Sequence, residues 1–195
     1  MKKRVFIVHR WDGHPKRDWY SWLKKELEKN NFEVYIPVMP HPEEPTIKDW
    51  VDCLYESVNK PDDKTYFVGH SVGCQTILRF LEKLPENIKV GGTVFVAGFF
   101  STGESTLANL TDEEKEIISP WLNTSINLAK VKSHLPKSIA IFSDNDPYVP
   151  LDNKEIFEKE LGTKTIIEHA RGHFTDEDDV VKLPIVLNSL LKLSL

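Results

Sequence analysis

Short apolar runs alternate with helical stripes from one end of this chain to the other. That alternation limits the fold to a mostly parallel sheet covered by helices on both faces. The runs fall at residues 4–8, 32–36, 65–68, 93–97, 138–142 and 163–167. Several are apolar at consecutive positions, as strands buried on both faces should be. Between them, Trp19, Trp22, Leu23 and Leu27 share one helical face, as do Ile47, Trp50, Val51, Leu54 and Val58 behind a capping box of Thr46 and Asp49. Cys74, Ile77, Leu78, Leu81 and Leu84 form a third stripe, stopped by Pro85. A helix over 153–161 ends on Gly162, and Pro184 opens the last one. The irregular stretch is 99–137, which holds a helical piece at 111–122 with Glu114 completing a capping box. It is either a short cap or an elaborated crossover.

Composition removes several classes of protein. A formal net charge of −5 argues against a nucleic-acid partner, whose phosphates call for a basic face. The basic lead-in Lys2-Lys3-Arg4 precedes only Val5-Phe6-Ile7-Val8, too short for a signal sequence or a membrane span. Two cysteines, Cys53 and Cys74, make no disulfide framework, so the expectation is a cytoplasmic chain forming one domain over 1–195. No Gly-x-Gly-x-x-Gly follows the first run, and no His-Glu-x-x-His or paired-cysteine spacing offers a metal site.

The strongest local signal is Gly69-His70-Ser71-Val72-Gly73. Many chains carry such a pentapeptide by chance, but here it joins a buried strand to a helix. A serine on that sharp turn stands exposed at the carboxyl edge of the sheet. The helix N-terminus then aims its free N–H groups, Val72 first, at the place where an oxyanion would form. A serine hydroxyl is a weak nucleophile alone and needs a neutral imidazole, itself oriented by an acid. Of seven histidines, His173 in Arg171-Gly172-His173-Phe174 follows the last strand and lies on the same edge. His169 ends that strand and suits packing or capping, and the His70 side chain points away from such a turn. The acid belongs on the loop Ser143-Asp144-Asn145-Asp146-Pro147-Tyr148-Val149-Pro150. Asp144 and Asp146 both qualify by position. Asp146 is preferred because Pro147 fixes the turn behind it. The backbone N–H of Trp11, on the loop after the first strand, is the natural second oxyanion donor. Trp11, Phe99, Phe100, Trp121 and Tyr148 line an apolar acyl pocket, or else are ordinary packing.

Together these motifs resemble the YdeN-like small serine hydrolases, a family that also contains the retinoblastoma-binding protein nine. The resemblance runs nearly end to end. It rests on Trp19, Trp22 and Leu23, on Met39-Pro40-His41-Pro42 through Asp49-Trp50, and on Val96-Ala97-Gly98-Phe99. Asp146-Pro147-Tyr148-Val149-Pro150 and Gly172-His173-Phe174 complete it. It implies a three-layer α/β-hydrolase fold without a large lid, its six-stranded sheet in the order 2-1-3-4-5-6. It also implies cleavage of carboxylic ester or related acyl bonds in a small-molecule substrate by Ser71, Asp146 and His173, with no metal or organic cofactor. This chain departs from such hydrolases at Arg10, where glycine is usual. Arg10 is accordingly a candidate contact for an anionic acyl group, unless it pairs with an acid such as Asp12. Retinoblastoma binding does not carry over, because Val51 and Val72 stand two positions before Cys53 and Cys74 where Leu-x-Cys-x-Glu needs leucine. The competing reading is a hydrolase-like binding protein without catalysis.

Overall fold

The structure is a computed structural model describing residues 2–195, apart from the side chain of Ser105. Six strands, β1 (Lys3–Val8), β2 (Phe32–Tyr35), β3 (Thr65–His70), β4 (Gly92–Val96), β5 (Ser138–Ser143) and β6 (Lys164–Glu168), form one sheet in the order β2-β1-β3-β4-β5-β6. All five pairings are parallel. Consecutive apolar positions put β3, β4 and β5 wholly out of water, whereas the edge strands β2 and β6 keep residues exposed.

The helices α1 (Tyr20–Lys29) and α8 (Pro184–Leu193) cover one face. The other carries α2 (Ile47–Val58), α3 (Val72–Glu82), α6 (Leu128–His134) and α7 (Asn153–Leu161). In α1 the buried stripe is Tyr20, Leu23 and Leu27, with Trp19 buried just ahead of the helix and Trp22 only half-buried. Thr46 caps α2 by accepting from the Asp49 N–H at 3.1 Å. Gly162 closes α7 in the left-handed conformation, as a residue just past a helix end does. Segment 99–137 holds α4 (Glu104–Asn109), α5 (Asp112–Asn123) and α6, with the Thr111–Glu114 capping box formed in both directions. No described helix is long and apolar enough to cross a membrane.

Strand order reverses between β1 and β3. Connections there leave on opposite faces, so a crevice opens at the carboxyl ends of the two strands. Ser71 lies there.

Candidate active site

β3 extends two residues beyond the apolar run, because Gly69 and His70 remain in register with Phe95 and Val96 of β4. The Ser71 N–H then donates to Val96 O at 2.9 Å, and α3 begins at the next residue. Ser71 itself takes φ 53° and ψ −118°, a backbone state that costs a side-chain-bearing residue of the order of 1–3 kcal/mol. Two glycines permit the bend. A Cβ at Gly69 would meet the Cys74 backbone at 2.8 Å, and one at Gly73 would press on the carbonyls of Val8 and His9. Packing therefore holds the hydroxyl above the sheet edge. Cys74, in the first turn of α3, is buried, and burial pushes its thiol far up from the ordinary value.

His173 stands on the loop after β6, whose backbone turns left-handed at Ala170, Gly172 and Phe174. Its Nδ1 donates to Asp146 Oδ2 at 2.8 Å and Oδ1 at 3.1 Å, so Nε2 is the nitrogen that a neutral ring has free to accept. Asp146 Oδ1 also accepts from the N–H groups of Tyr148 (2.9 Å) and Val149 (3.1 Å), so the turn at Pro147 fixes the carboxylate. The loop is tied down at several points. His173 N–H donates to Asp178 Oδ2 (2.8 Å), Gly172 N–H to Asn145 Oδ1 (2.8 Å) and Arg171 N–H to Ser143 Oγ (3.0 Å). Asp144 pairs elsewhere, with the exposed His169, and accepts from the Ala170 N–H at 2.9 Å.

Ser71 and His173 open onto one cavity of about 680 Å³, also lined by Arg10, Trp11, Val72, Phe99 and Tyr148. The Tyr148 ring meets the His173 ring edge-on, with centroids 5.1 Å apart. Thr106 of α4, Leu110 between the helices, and Ile117 and Ile118 of α5 supply a wall, so segment 99–137 borders the site. Phe100 and Trp121 do not line it. Phe100 packs at a tilt against Phe157, and Trp121 packs against Trp50 while donating to Pro45 O.

Arg10 lines the cavity but pairs with Asp18 and not with Asp12. Its Nε donates to buried Asp18 at 3.1 Å and its Nη1 to Trp11 O at 3.1 Å, which fixes the guanidinium against its own loop. Carboxylates from Asp12, Glu43, Glu44, Glu113 and Glu114 line the cavity, and Arg10 is the one arginine or lysine among its described lining residues.

Sequence reasoning missed a buried group beneath the site. His70 Nδ1 meets Tyr20 Oη at 2.7 Å, and His70 Nε2 meets His173 O at 2.7 Å. Asp18 and Asp178 were missed as well. Asp18 acts across a distance that no local motif marks, whereas Asp178 closes a Thr175-x-x-Asp178 capping box whose spacing is visible in the sequence.

A sharp strand-to-helix turn at the switch point of a parallel 2-1-3-4-5-6 sheet fits an α/β-hydrolase fold. The chain belongs to the serine hydrolase family, whose model matches residues 5–192. It is 30% identical over 191 residues to the YdeN protein of Bacillus subtilis (strain 168), spanning 97% of this chain and 95% of that one. It is 26% identical to the serine hydrolase RBBP9 of Rattus norvegicus, over 82% of this chain and 80% of that one. The crystal structure of the B. subtilis ydeN gene product superposes with a TM-score of 0.88 over 98% of each chain at 28% identity. Est1E from Butyrivibrio proteoclasticus shares the fold with a TM-score of 0.73 over 98% of this chain and 88% of its own, at 15% identity.

Proposed function

We propose that this chain cleaves carboxylic ester or related acyl bonds through a Ser71–His173–Asp146 triad and an acyl-enzyme intermediate. One observation carries the reading: a buried Asp146–His173 pair whose imidazole shares a cavity with a serine held in a strained strand-to-helix turn. His173 Nε2 takes the Ser71 proton as Oγ attacks the acyl carbon. Asp146 holds the ring's tautomer and stabilises the imidazolium. The tetrahedral oxyanion is met by the N–H groups of Val72 and Trp11. Val72 opens α3, where backbone N–H groups have no partner within the helix. In the first loop, Arg10 N–H is taken by Tyr20 Oη, Asp12 N–H by Pro42 O and Gly13 N–H by Arg10 O, which leaves that of Trp11. His173 returns its proton to the leaving alkoxide. A water, deprotonated by the same nitrogen, then releases the acid and restores Ser71.

In this reading residues 1–195 serve one site, with α4 and α5 as its wall in place of a large lid. Phe99 and Tyr148 flank the acyl group, and Arg10 braces the oxyanion loop rather than binding substrate. A panel of p-nitrophenyl esters of graded acyl length, with Ser71→Ala as the blank, tests the proposal. Turnover lost in Ser71→Ala supports it, and hydrolysis that persists unchanged overturns it.

A further inference from the structure

Two loops carry the groups that the proposed reaction needs at fixed separation. Arg10 and Trp11 lie on the loop after β1, and His173 on the loop after β6. Their strands are not neighbours in the sheet, because β3, β4 and β5 stand between β1 and β6. No ladder hydrogen bond sets the distance between these loops, so something else must.

A buried polar chain spans the gap. Arg10 N–H donates to Tyr20 Oη at 3.2 Å, and Tyr20 Oη meets His70 Nδ1 at 2.7 Å. His70 Nε2 meets the His173 carbonyl at 2.7 Å. The carbonyl can only accept, so Nε2 carries the His70 proton and Nδ1 accepts from the tyrosine hydroxyl. Every donor is then matched in one direction, from the oxyanion loop to the backbone of His173. Tyr20 and His70 are both fully buried, where phenylalanine and leucine would fill the space without polar atoms to satisfy. A second link runs parallel to the first: Asp18 accepts from Arg10 Nε at 3.1 Å and from the Asp176 N–H at 2.9 Å. Trp19 Nε1 adds a bond to Phe174 O at 3.0 Å.

We infer that Tyr20 and His70 are positioning residues, which set the oxyanion loop and His173 at the spacing the transition state requires. The inference rests on the proposed triad. Neither side chain lines the cavity, so both act through the backbone groups they hold. Loosening that spacing penalises the transition state more than the bound substrate, and a misplacement of about 1 Å can slow turnover about 100-fold.

The test uses the full chain and p-nitrophenyl butyrate. In Tyr20→Phe and His70→Leu, kcat should fall roughly 10- to 100-fold with KM within about threefold. Inhibition by a trifluoromethyl ketone, whose hemiketal forms an oxyanion, should weaken in step with kcat. His70→Gln retains a donor toward the His173 carbonyl and should recover part of the loss. If all three variants fold and keep wild-type kcat and ketone affinity, with only Tm lowered, the side chains are structural and the inference fails. Should Tyr20→Phe not fold, His70→Gln against His70→Leu decides by the same readouts. Fluorophosphonate labelling of wild type separates the two claims: unlabelled Ser71 overturns the triad and this inference with it, whereas labelled Ser71 with fully active variants overturns this inference alone.

Discussion

Two aspartate–histidine pairs lie side by side at the carboxyl edge of this sheet, and they differ in nearly everything but composition. Asp146–His173 has side chains 2% and 9% exposed, and its imidazole faces the cavity that holds Ser71. Asp144–His169 comes from the same two loops, yet its side chains are 35% and 90% exposed. Asp144 also accepts from the Ala170 N–H, so it serves as a clasp between the loops after β5 and β6. In water such a pair is screened and holds its ring weakly. In the cavity wall, a carboxylate fixed by two further N–H donors holds one tautomer and one ring orientation. In the proposed reaction, position relative to Ser71, together with burial, is what separates the inner pair from the fastening outer one.

Mutations should widen that contrast. The largest effect is expected at Asp146→Asn, which should cut kcat roughly ten-thousand-fold by presenting the wrong tautomer of His173. Steady-state kinetics on one activated ester will show it. Next, Asp178→Ala removes the acceptor of the His173 and Thr175 N–H groups at 2.8 and 3.1 Å. It should cost of the order of 1–3 kcal/mol in denaturant unfolding and slow turnover as the His173 loop loosens. Arg10→Ala comes third. Because Asp18 holds the guanidinium, the change should slow neutral and carboxylate-bearing esters by similar factors, and selective loss of the charged ester would restore a substrate-binding role for Arg10. The smallest effect belongs to the outer pair: Asp144→Asn should leave kcat within about threefold of wild type.

Acid provides a separate comparison, between buried imidazoles and the solvent. Burial holds His9 down at about 4 and His70 well below the ordinary 6.5. With the folded value depressed, the unfolded chain binds protons that the folded chain refuses. The contribution to stability is therefore intact above about 6.5 and is lost as pH falls below it, down to about 4 for His9. Denaturant midpoints should drop across that window, and His9→Gln should flatten the decline.

Much of this was legible in the sequence, for physical reasons that can be named. The six strands and their parallel arrangement follow from apolar runs set between helical stripes. That Ser71, Asp146 and His173 share one edge is legible because parallel strands put all the loops after them on the same side. The preference for Asp146 over Asp144 came from Pro147, whose turn presents the carboxylate to two backbone N–H groups. What stayed hidden depends on contacts between remote parts of the chain. Nothing near Tyr20 marks it as a partner of His70, and nothing near Arg10 marks Asp18 as holding its guanidinium against Trp11. For Phe100 and Trp121 the sequence leaves pocket and packing equally open, because aromatic side chains serve cores and cavities equally well. Only the packing of Phe100 on Phe157 and of Trp121 on Trp50 distinguishes the two.

The central claim, that Ser71 is the nucleophile activated by the inner pair and not the outer one, is tested most directly by fluorophosphonate labelling followed by peptide mass spectrometry. Wild type and Asp144→Asn should carry the adduct on Ser71 and form it at comparable rates. Asp146→Asn should form the same adduct slower by roughly three orders of magnitude or more. An adduct on any other residue, or slow labelling in Asp144→Asn with normal labelling in Asp146→Asn, would contradict the account.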